Sequence, residues 1–305
     1  MPHAAMFAAL FATWFSASPG ISAATEARVH HEGTRAAQPS GQSPHVRFSL
    51  VAPERHAAAG ESITVALRFD IDEGWHMYWN GRNDSGLAPT VTWTLPEGWA
   101  VKQTRWPAPV RYTSDILLDH VYHDRVVLLA TVSIPAEMAN PGVHRIKADA
   151  RWMVCQEACV IERGSAEASI MVESEHERTL RDKPPPEHPL LLAAEEAMPR
   201  PVSEAGNRGH EITPKTDPQG ATQSPRALGF RVAGAVKLEF YPDRDCAELA
   251  DLIGEGSVAS DTITLTLSRQ PSSDTQGTVA PAPRLKGVLA IWPVGEVSPV
   301  YYQVE

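Results

Sequence analysis

Runs in which apolar and polar residues alternate recur through the first half of the chain and restrict its fold to β-structure. Successive side chains of a strand point to opposite faces, so a run with period two predicts a strand buried on one face. The runs cover residues 46–51, 62–71, 90–95, 125–134, 143–152 and 166–172. Clusters of Pro, Gly, Asn and Asp between them predict turns, and no long amphipathic helix is evident. We therefore expect an all-β sandwich of about seven strands.

The remaining chain predicts a linker and a second unit. Residues 176–226 are rich in charge, Pro, Gly, Ser and Gln, with a short helical pattern only at 188–198, and predict a linker. Alternating runs return from about Leu228, which predicts a second smaller β-domain over residues 227–305. These later runs are 235–241, 262–267, 285–292 and 300–304, with a polar loop at 268–283.

The amino terminus predicts export. Residues 1–24 contain no Asp, Glu, Lys or Arg, and an apolar run over 4–17 is followed by small residues up to Ala24. This pattern predicts a secretory signal peptide, followed by a polar, flexible leader over residues 25–44. No later stretch offers about 18 uncharged apolar residues, so we expect no membrane span. Export predicts an oxidising compartment, in which disulfide bonds can form.

The net charge of −10 and a pI near 5.6 argue against nucleic acid or an anionic membrane surface as a partner. The sequence has no glycine-rich phosphate loop and no His-Glu-x-x-His motif. His120, His123 and Asp124 do not fix three metal ligands in sequence, so we expect no metal and no organic cofactor.

Two of the three cysteines, Cys155 and Cys159, flank the short segment Gln156-Glu157-Ala158. On a straight strand they would lie about 13 Å apart, whereas a disulfide needs Cα atoms about 4.4–6.8 Å apart. A bond between them therefore requires a tight hairpin. Closing so small a loop contributes only about 2 kcal/mol to stability, which favours a bond that opens and closes over a structural staple. The residues alone leave a structural disulfide open.

Several motifs in order resemble one family. They are residues 74–80 (GWHMYWN), 84–90 (DSGLAPT), 91–99 (VTWTLPEGW), 106–109 (WPAP) and 152–155 (WMVC), followed by Cys159. Together they resemble the periplasmic amino-terminal domain of the thiol:disulfide interchange protein DsbD and its ScsB-like relatives, over about residues 45–173. Residues 285–304 resemble the second periplasmic β-domain of the ScsB-like members.

The resemblance implies an immunoglobulin-like domain over residues 45–175 and a thiol–disulfide oxidoreductase of the protein-disulfide reductase type. In the family, the cysteine pair accepts electrons from a membrane-embedded thiol reductase, here of a DsbD- or CcdA-like type, and passes them to periplasmic thioredoxin-fold proteins. It further implies that Cys159 attacks the client and Cys155 resolves the mixed disulfide. A cap loop over the pair would fall within residues 111–118.

Three aromatic residues are candidates for supporting roles at the cysteines. The resemblance places His76 and Tyr78 beside the sulfurs, and a Tyr78 hydroxyl there could donate a hydrogen bond to a thiolate. Trp152 is a third candidate, although it shares strand parity with Ala150, and such residues also pack between sheets. Asp84-Ser85-Gly86 predicts a turn that shapes a loop. The odd Cys246 is expected to be buried and inert.

Two other functions stay open on the residues alone. The first is a non-catalytic secreted β-sandwich, an interaction module whose short disulfide is structural. The second is a copper-handling accessory protein, because Cys and Met are soft ligands that suit Cu(I) and Met153 lies near the cysteines.

Overall fold

Strands make up most of the described chain. The structure, a computed structural model, describes residues 44–53, 56–114, 116–137, 141–180, 187–216, 227–268 and 283–305, without the side chains of residues 175 and 178. The predicted signal peptide and the predicted leader up to residue 43 lie outside the described residues, as does most of the predicted 268–283 loop.

The described residues of the first region form eleven strands. They are β1 (Val46–Val51), β2 (Ala57–Ala58), β3 (Ser62–Ile71), β4 (His76–Tyr78), β5 (Thr90–Thr94), β6 (Ala100–Arg105), β7 (Val110–Ser114), β8 (Leu117–Tyr122), β9 (Arg125–Ser133), β10 (Gly142–Cys155) and β11 (Cys159–Glu173). Strands β1-β3-β9-β6 form an antiparallel four-stranded sheet. The second sheet has the order β2-β11-β10-β4-β8-β7, with β5 also paired to β10.

The two sheets pack face to face around one hydrophobic core. Phe69 of the first sheet and Trp152 of the second meet edge to face, with ring centroids 5.4 Å apart, and Trp79 is also buried in this core. Alternate residues of β10 point into it, including Ile146, Ala148, Ala150 and Val154. The predicted all-β sandwich is therefore confirmed, although it has more strands than the expected seven.

The segment predicted as a linker contains ordered elements. It carries α1 (Glu175–Leu180), α2 (Pro189–Glu196), β12 (Arg200–Pro201), two single-turn 3₁₀ segments (Val202–Glu204 and Gly206–Arg208) and β13 (Ile212–Thr216). Helix α2 has a proline in its first turn, where no main-chain donor is needed. Its N-cap is His188, whose Nδ1 atom accepts a hydrogen bond from the Leu190 amide at 3.1 Å. Leu191 and Ala194 of this helix pack on Ala66 and Leu129, so α2 covers the outer face of the four-stranded sheet. The predicted domain boundaries remain a prediction.

The second β-region comprises strands β12 to β19 and one short helix. The remaining elements are β14 (Ala227–Val232), β15 (Ala235–Pro242), α3 (Leu252–Glu255), β16 (Ser257–Val258), β17 (Thr262–Thr266), β18 (Gly287–Pro293) and β19 (Val300–Val304). They form a five-stranded sheet, β12-β19-β18-β15-β16, and a three-stranded sheet, β13-β14-β17. Its own core includes Phe240, Leu289 and Cys246, which is buried and unbonded to another cysteine.

The second β-region contacts the sandwich through β15 and β18. Tyr241, Val288 and Ala290 belong to the core cluster of the first region. Tyr241 also meets His120 of β8 edge to face at 5.5 Å, and the Arg82 amide donates to the Pro242 carbonyl at 2.9 Å. Among the described residues, no helix combines the length and the apolar character needed to cross a lipid bilayer.

Candidate functional site

The two cysteines close the turn of the β10–β11 hairpin. Cys155 and Cys159 are directly paired in the ladder, and the Gln156 amide donates to the Ala158 carbonyl across the turn at 3.2 Å. Their Cα atoms lie 4.1 Å apart and their sulfurs form a disulfide. The predicted tight hairpin around residues 156–158 is confirmed.

The two cysteines differ in their exposure to solvent. Cys155 is only 3% exposed, whereas Cys159 is exposed at the start of β11. Because Trp152 and Val154 point into the sandwich core, Cys155 points to the opposite, outer face of its sheet. A partner protein can therefore approach Cys159 from outside without opening the core.

Strand β4 carries two polar aromatic side chains to the buried sulfur. β4 pairs with β10, with His76 opposite Cys155. The Tyr78 hydroxyl donates to Cys155 Sγ at 3.2 Å and lies 4.0 Å from Cys159 Sγ. His76 Nε2 lies 3.3 Å from the same hydroxyl oxygen. Since the phenol has one proton, which it donates to sulfur, the assignment that completes this chain has His76 donating through Nε2–H.

Burial keeps this chain of donors neutral. Desolvation raises the pKa of Tyr78, so the phenol retains its proton and stays a donor. Desolvation, and then the nearby His123, lower the pKa of His76, while Asp119 acts in the opposite direction. At neutral pH both side chains are therefore uncharged, and they offer hydrogen bonds to sulfur without a buried charge.

The loop after β4 fits the Tyr78 ring closely. A Cβ atom at Gly86 would lie 1.9 Å from Cε1 of Tyr78, so glycine leaves the space that the ring occupies. The loop is tied to β8, because the Ser85 amide donates to the Asp119 carboxylate at 3.0 Å and the Leu118 amide donates to Asp84 at 2.6 Å. The predicted turn at residues 84–86 thus has contacts that shape the loop. No sequence signal indicated the fit of Gly86 to Tyr78.

The segment expected to hold a cap loop forms the β7–β8 hairpin; Asp115, near its turn, lies outside the described residues. The ring of Tyr112 in β7 lies 4.7 Å from that of His76 and 6.5 Å from that of His123. On β8, Val121 packs with Tyr78 and Cys155, and Met153 of β10 packs against this group. The hairpin therefore covers the His76 side of the disulfide. Sequence reasoning did not single out Tyr112 or Val121.

The structure does not bring Trp152 to the disulfide. Its side chain lies between the sheets, 2% exposed, with its ring 5.9 Å from that of Phe48. Its indole nitrogen donates to Glu162 at 3.2 Å. Of the three predicted supporting residues, only Tyr78 and His76 are therefore at the cysteines, and Trp152 packs in the core because it faces the other side of β10.

Within the described ranges, no group of three or more His, Cys, Asp or Glu side chains is arranged to hold a metal ion. His120 is fully buried and lies against Trp79 and Tyr241, while His123 lies near His76. The two histidines considered for a metal site therefore have different neighbours.

The chain is similar in sequence and in structure to known proteins. Residues 47–169 match the family model described as thiol:disulfide interchange protein DsbD, N-terminal. The chain is similar in structure to the N-terminal periplasmic domain of ScsB from Proteus mirabilis, with a TM-score of 0.50, 12% sequence identity, and coverage of 88% of this chain and 96% of that chain. It was also matched to the reduced N-terminal domain of DsbD from Neisseria meningitidis, with a TM-score of 0.25, 18% identity, and coverage of 42% and 86%. No curated protein matches the sequence.

The likeness to the ScsB domain spans both β-regions and shows a shared fold. It bears out the expected immunoglobulin-like sandwich followed by a second, smaller β-domain. The family match and the Cys155–Cys159 disulfide together support a thiol–disulfide exchange domain. Residues 47–169 match the model of the DsbD N-terminal domain family, as the motifs predict.

Proposed function

We propose that the protein is a periplasmic carrier of thiol–disulfide exchange. It accepts electrons from a membrane-embedded thiol reductase of the DsbD- or CcdA-like type and passes them to thioredoxin-fold proteins through Cys155 and Cys159. One observation carries the proposal. The exposed residue Cys159 is bonded to the buried residue Cys155, whose sulfur accepts a hydrogen bond from Tyr78.

Reduction begins at Cys159, the exposed cysteine. A thiolate of the reductase attacks Cys159 Sγ, the Cys155–Cys159 bond breaks, and Cys155 leaves as a thiolate. The Tyr78 hydroxyl, 3.2 Å away, donates to the sulfur that gains the negative charge. A second thiolate of the reductase then attacks the reductase sulfur that is bonded to Cys159. This attack breaks the mixed disulfide and releases Cys159 as a thiolate. The reductase leaves oxidised, and the protein has gained two electrons and, once both thiolates are protonated, two protons.

Delivery to the client reverses these steps. The Cys159 thiolate attacks a disulfide of the client, which releases one client thiolate and forms a mixed disulfide with Cys159. Cys155 loses its proton and attacks Cys159 Sγ, so the internal disulfide re-forms and the second client thiolate leaves. The burial of Cys155 suits this resolving role, because only its partner sulfur in the hairpin lies within its reach.

The proposed compartment follows from two observations. The first 24 residues have the composition of a signal peptide, and the similar domain of ScsB is described as periplasmic. Disulfide exchange between proteins also requires a compartment in which disulfides persist. Cell fractionation tests this part: the protein should appear in the osmotic-shock fraction, whereas retention with cytosolic markers would contradict it.

Trapping of a mixed disulfide tests the exchange reaction. Cys155→Ala leaves Cys159 without a resolving thiol, so incubation with an oxidised thioredoxin-fold protein should accumulate a covalent complex that dithiothreitol releases. Cys159→Ala is the matched control and should trap nothing, because the remaining Cys155 is buried. Cys246→Ala should behave as the unmodified protein. If Cys155→Ala forms no complex, the disulfide is structural and the protein is an interaction module.

The reduction potential gives an independent test. A structural disulfide in a secreted protein has a potential below about −300 mV, whereas exchange proteins lie between about −270 and −120 mV. We expect equilibration with glutathione or dithiothreitol buffers to place Cys155–Cys159 in the second range. A value well below −300 mV would rule out the carrier.

A further inference from the structure

The β7–β8 hairpin has two differently occupied faces. Arg111 and His120 are paired across the hairpin and share one face, while Tyr112 and Asp119 are paired on the other. Tyr112 lies on His76 of the disulfide site. On the opposite face, His120 meets Tyr241 of the second β-region. The hairpin is thus a single layer between the disulfide site and the second β-region.

Arg111 fastens the hairpin to that region. Its Nη2 atom donates to the carbonyl oxygens of Leu252 (3.0 Å) and Ile253 (3.2 Å) in α3. A Cβ atom at Gly256 would lie 2.5 Å from Nη1 of Arg111, so the glycine after α3 makes room for the guanidinium. The guanidinium therefore lies in a space left by Gly256, with its Nη2 atom directed at two main-chain carbonyls.

The guanidinium of Arg111 is partly buried at this contact. Nη1 of Arg111 is buried, with no hydrogen-bond partner among the described residues. Burial lowers the pKa of Arg111, and the nearby Glu239 acts against this shift by favouring the charged form. A planar guanidinium with fixed donors keeps its orientation better than a flexible ammonium group. The next residue, Tyr112, has its ring 4.7 Å from that of His76.

We propose that the second β-region positions the donors of the disulfide site and that Arg111 is the positioning residue. Anchored on the carbonyls of Leu252 and Ile253, Arg111 holds the β7–β8 hairpin so that Tyr112 stays on His76. His76 in turn contacts the Tyr78 hydroxyl that donates to Cys155. The inference rests on the proposed function and gives the second β-region a part in it.

Reduction of the disulfide by dithiothreitol tests this arrangement on the full-length protein. The disulfide of the Arg111→Ala protein should be reduced at about one tenth of the rate measured for the unmodified protein. This ratio corresponds to about 1.4 kcal/mol of lost stabilisation of the leaving Cys155 thiolate. Arg111→Lys keeps the charge and one donating nitrogen, and it should recover part of the rate. Arg231→Ala is the control, because it removes an exposed arginine of the second β-region that pairs with Asp261; its rate should be unchanged.

A double-mutant cycle separates positioning from general destabilisation. If Arg111 acts through the Tyr78 donor, Arg111→Ala should slow reduction little further when combined with Tyr78→Phe. Additive effects, or an Arg111→Ala rate equal to or above the unmodified one, would overturn the proposal. The circular dichroism spectrum and urea midpoint of Arg111→Lys identify any loss of fold. If Arg111→Ala is reduced at the unmodified rate while Cys155→Ala still traps a client, the positioning role of Arg111 is rejected and the carrier function stands. If Cys155→Ala traps nothing, the carrier function itself is rejected.

Discussion

The hydroxyl of Tyr78 lies closer to the sulfur of the buried Cys155 (3.2 Å) than to the sulfur of the exposed Cys159 (4.0 Å). In an exchange that begins at Cys159, Cys155 is the sulfur that leaves with a negative charge. The phenol therefore stands beside the leaving group and not beside the attacked atom. In that exchange, the hydrogen bond from this donor would lower the barrier to departure of the Cys155 thiolate.

Replacement of Tyr78 by Phe should slow reduction of the disulfide. A hydrogen bond to a charged group contributes about 1.5–3 kcal/mol, so loss of the donor should reduce the rate with dithiothreitol by about tenfold or more. Stopped-flow tryptophan fluorescence measures that rate. Tyr122→Phe is a matched control, because its hydroxyl donates to the Pro107 carbonyl (2.6 Å) on the core side of β8. Equal slowing in both variants would show that the effect is not specific to the sulfur.

Gly86→Ala should impair the same step from a distance. The new Cβ would lie 1.9 Å from Cε1 of Tyr78, so the ring must move and its hydroxyl leaves the sulfur. We expect the reduction rate to fall as in Tyr78→Phe, together with a lower urea midpoint. Gly206→Ala provides the control, since a Cβ atom there would have no neighbour within 4 Å and its rate should be unchanged. A Gly86→Ala protein that is reduced at the normal rate would contradict the close fit.

The stability of the protein should fall on mild acidification because of His120. Burial lowers the pKa of this histidine from 6.5 to about 4, so between these values the unfolded chain binds a proton that the folded protein does not. The destabilisation caused by protonation of His120 is therefore absent above about pH 6.5. Below that pH the free energy of unfolding declines as the pH falls towards 4. At about 1.36 kcal/mol per pH unit, the loss from His120 is about 3 kcal/mol.

Urea unfolding at pH 7.5 and pH 4.5 measures this dependence. His120→Phe keeps an aromatic ring between Trp79 and Tyr241 but cannot be protonated. Because the other titrating groups are common to both proteins, the difference between the two pH profiles isolates His120. Parallel profiles would show that His120 does not resist protonation in the folded state.

Opening the disulfide should change stability only slightly. The bond joins residues 155 and 159 within one hairpin, and the chain-entropy model gives about 2 kcal/mol for a loop of this size. Urea unfolding with and without dithiothreitol should therefore differ by about 2 kcal/mol or less. The Cys155→Ala/Cys159→Ala protein should match the reduced form. A loss above about 4 kcal/mol would mark a bond that holds the fold together.

Regular alternation made part of the fold predictable. The runs at 46–51 and 62–71 coincide with β1 and β3. Each of these strands buries one face in the sandwich core, while its other face is solvent-exposed or only partly covered. Strands β4 and β8 carried no such signal. Residues His76–Tyr78 are all buried, and five consecutive residues of β8 are buried on both faces. A strand enclosed on both sides does not alternate.

The candidate site was predictable to a similar degree. The spacing of Cys155 and Cys159 required the hairpin, and the family resemblance indicated His76 and Tyr78. Gly86 and Arg111 were not predictable, since their roles arise from contacts with Tyr78 and with α3 that only the tertiary structure creates. The strand parity of Trp152 pointed to the core and outweighs its nearness in sequence to Cys155.

Helix α2 lies beyond the part of the chain that matches the family, yet Leu191 and Ala194 shield Ala66 and Leu129 from water. A fragment that ends after β11 would expose this apolar strip of the four-stranded sheet to solvent. Such a fragment would self-associate, because uncovered apolar strips invite contact between molecules. A piece that extends through Met198, whose side chain packs in the same cluster, should keep this strip covered.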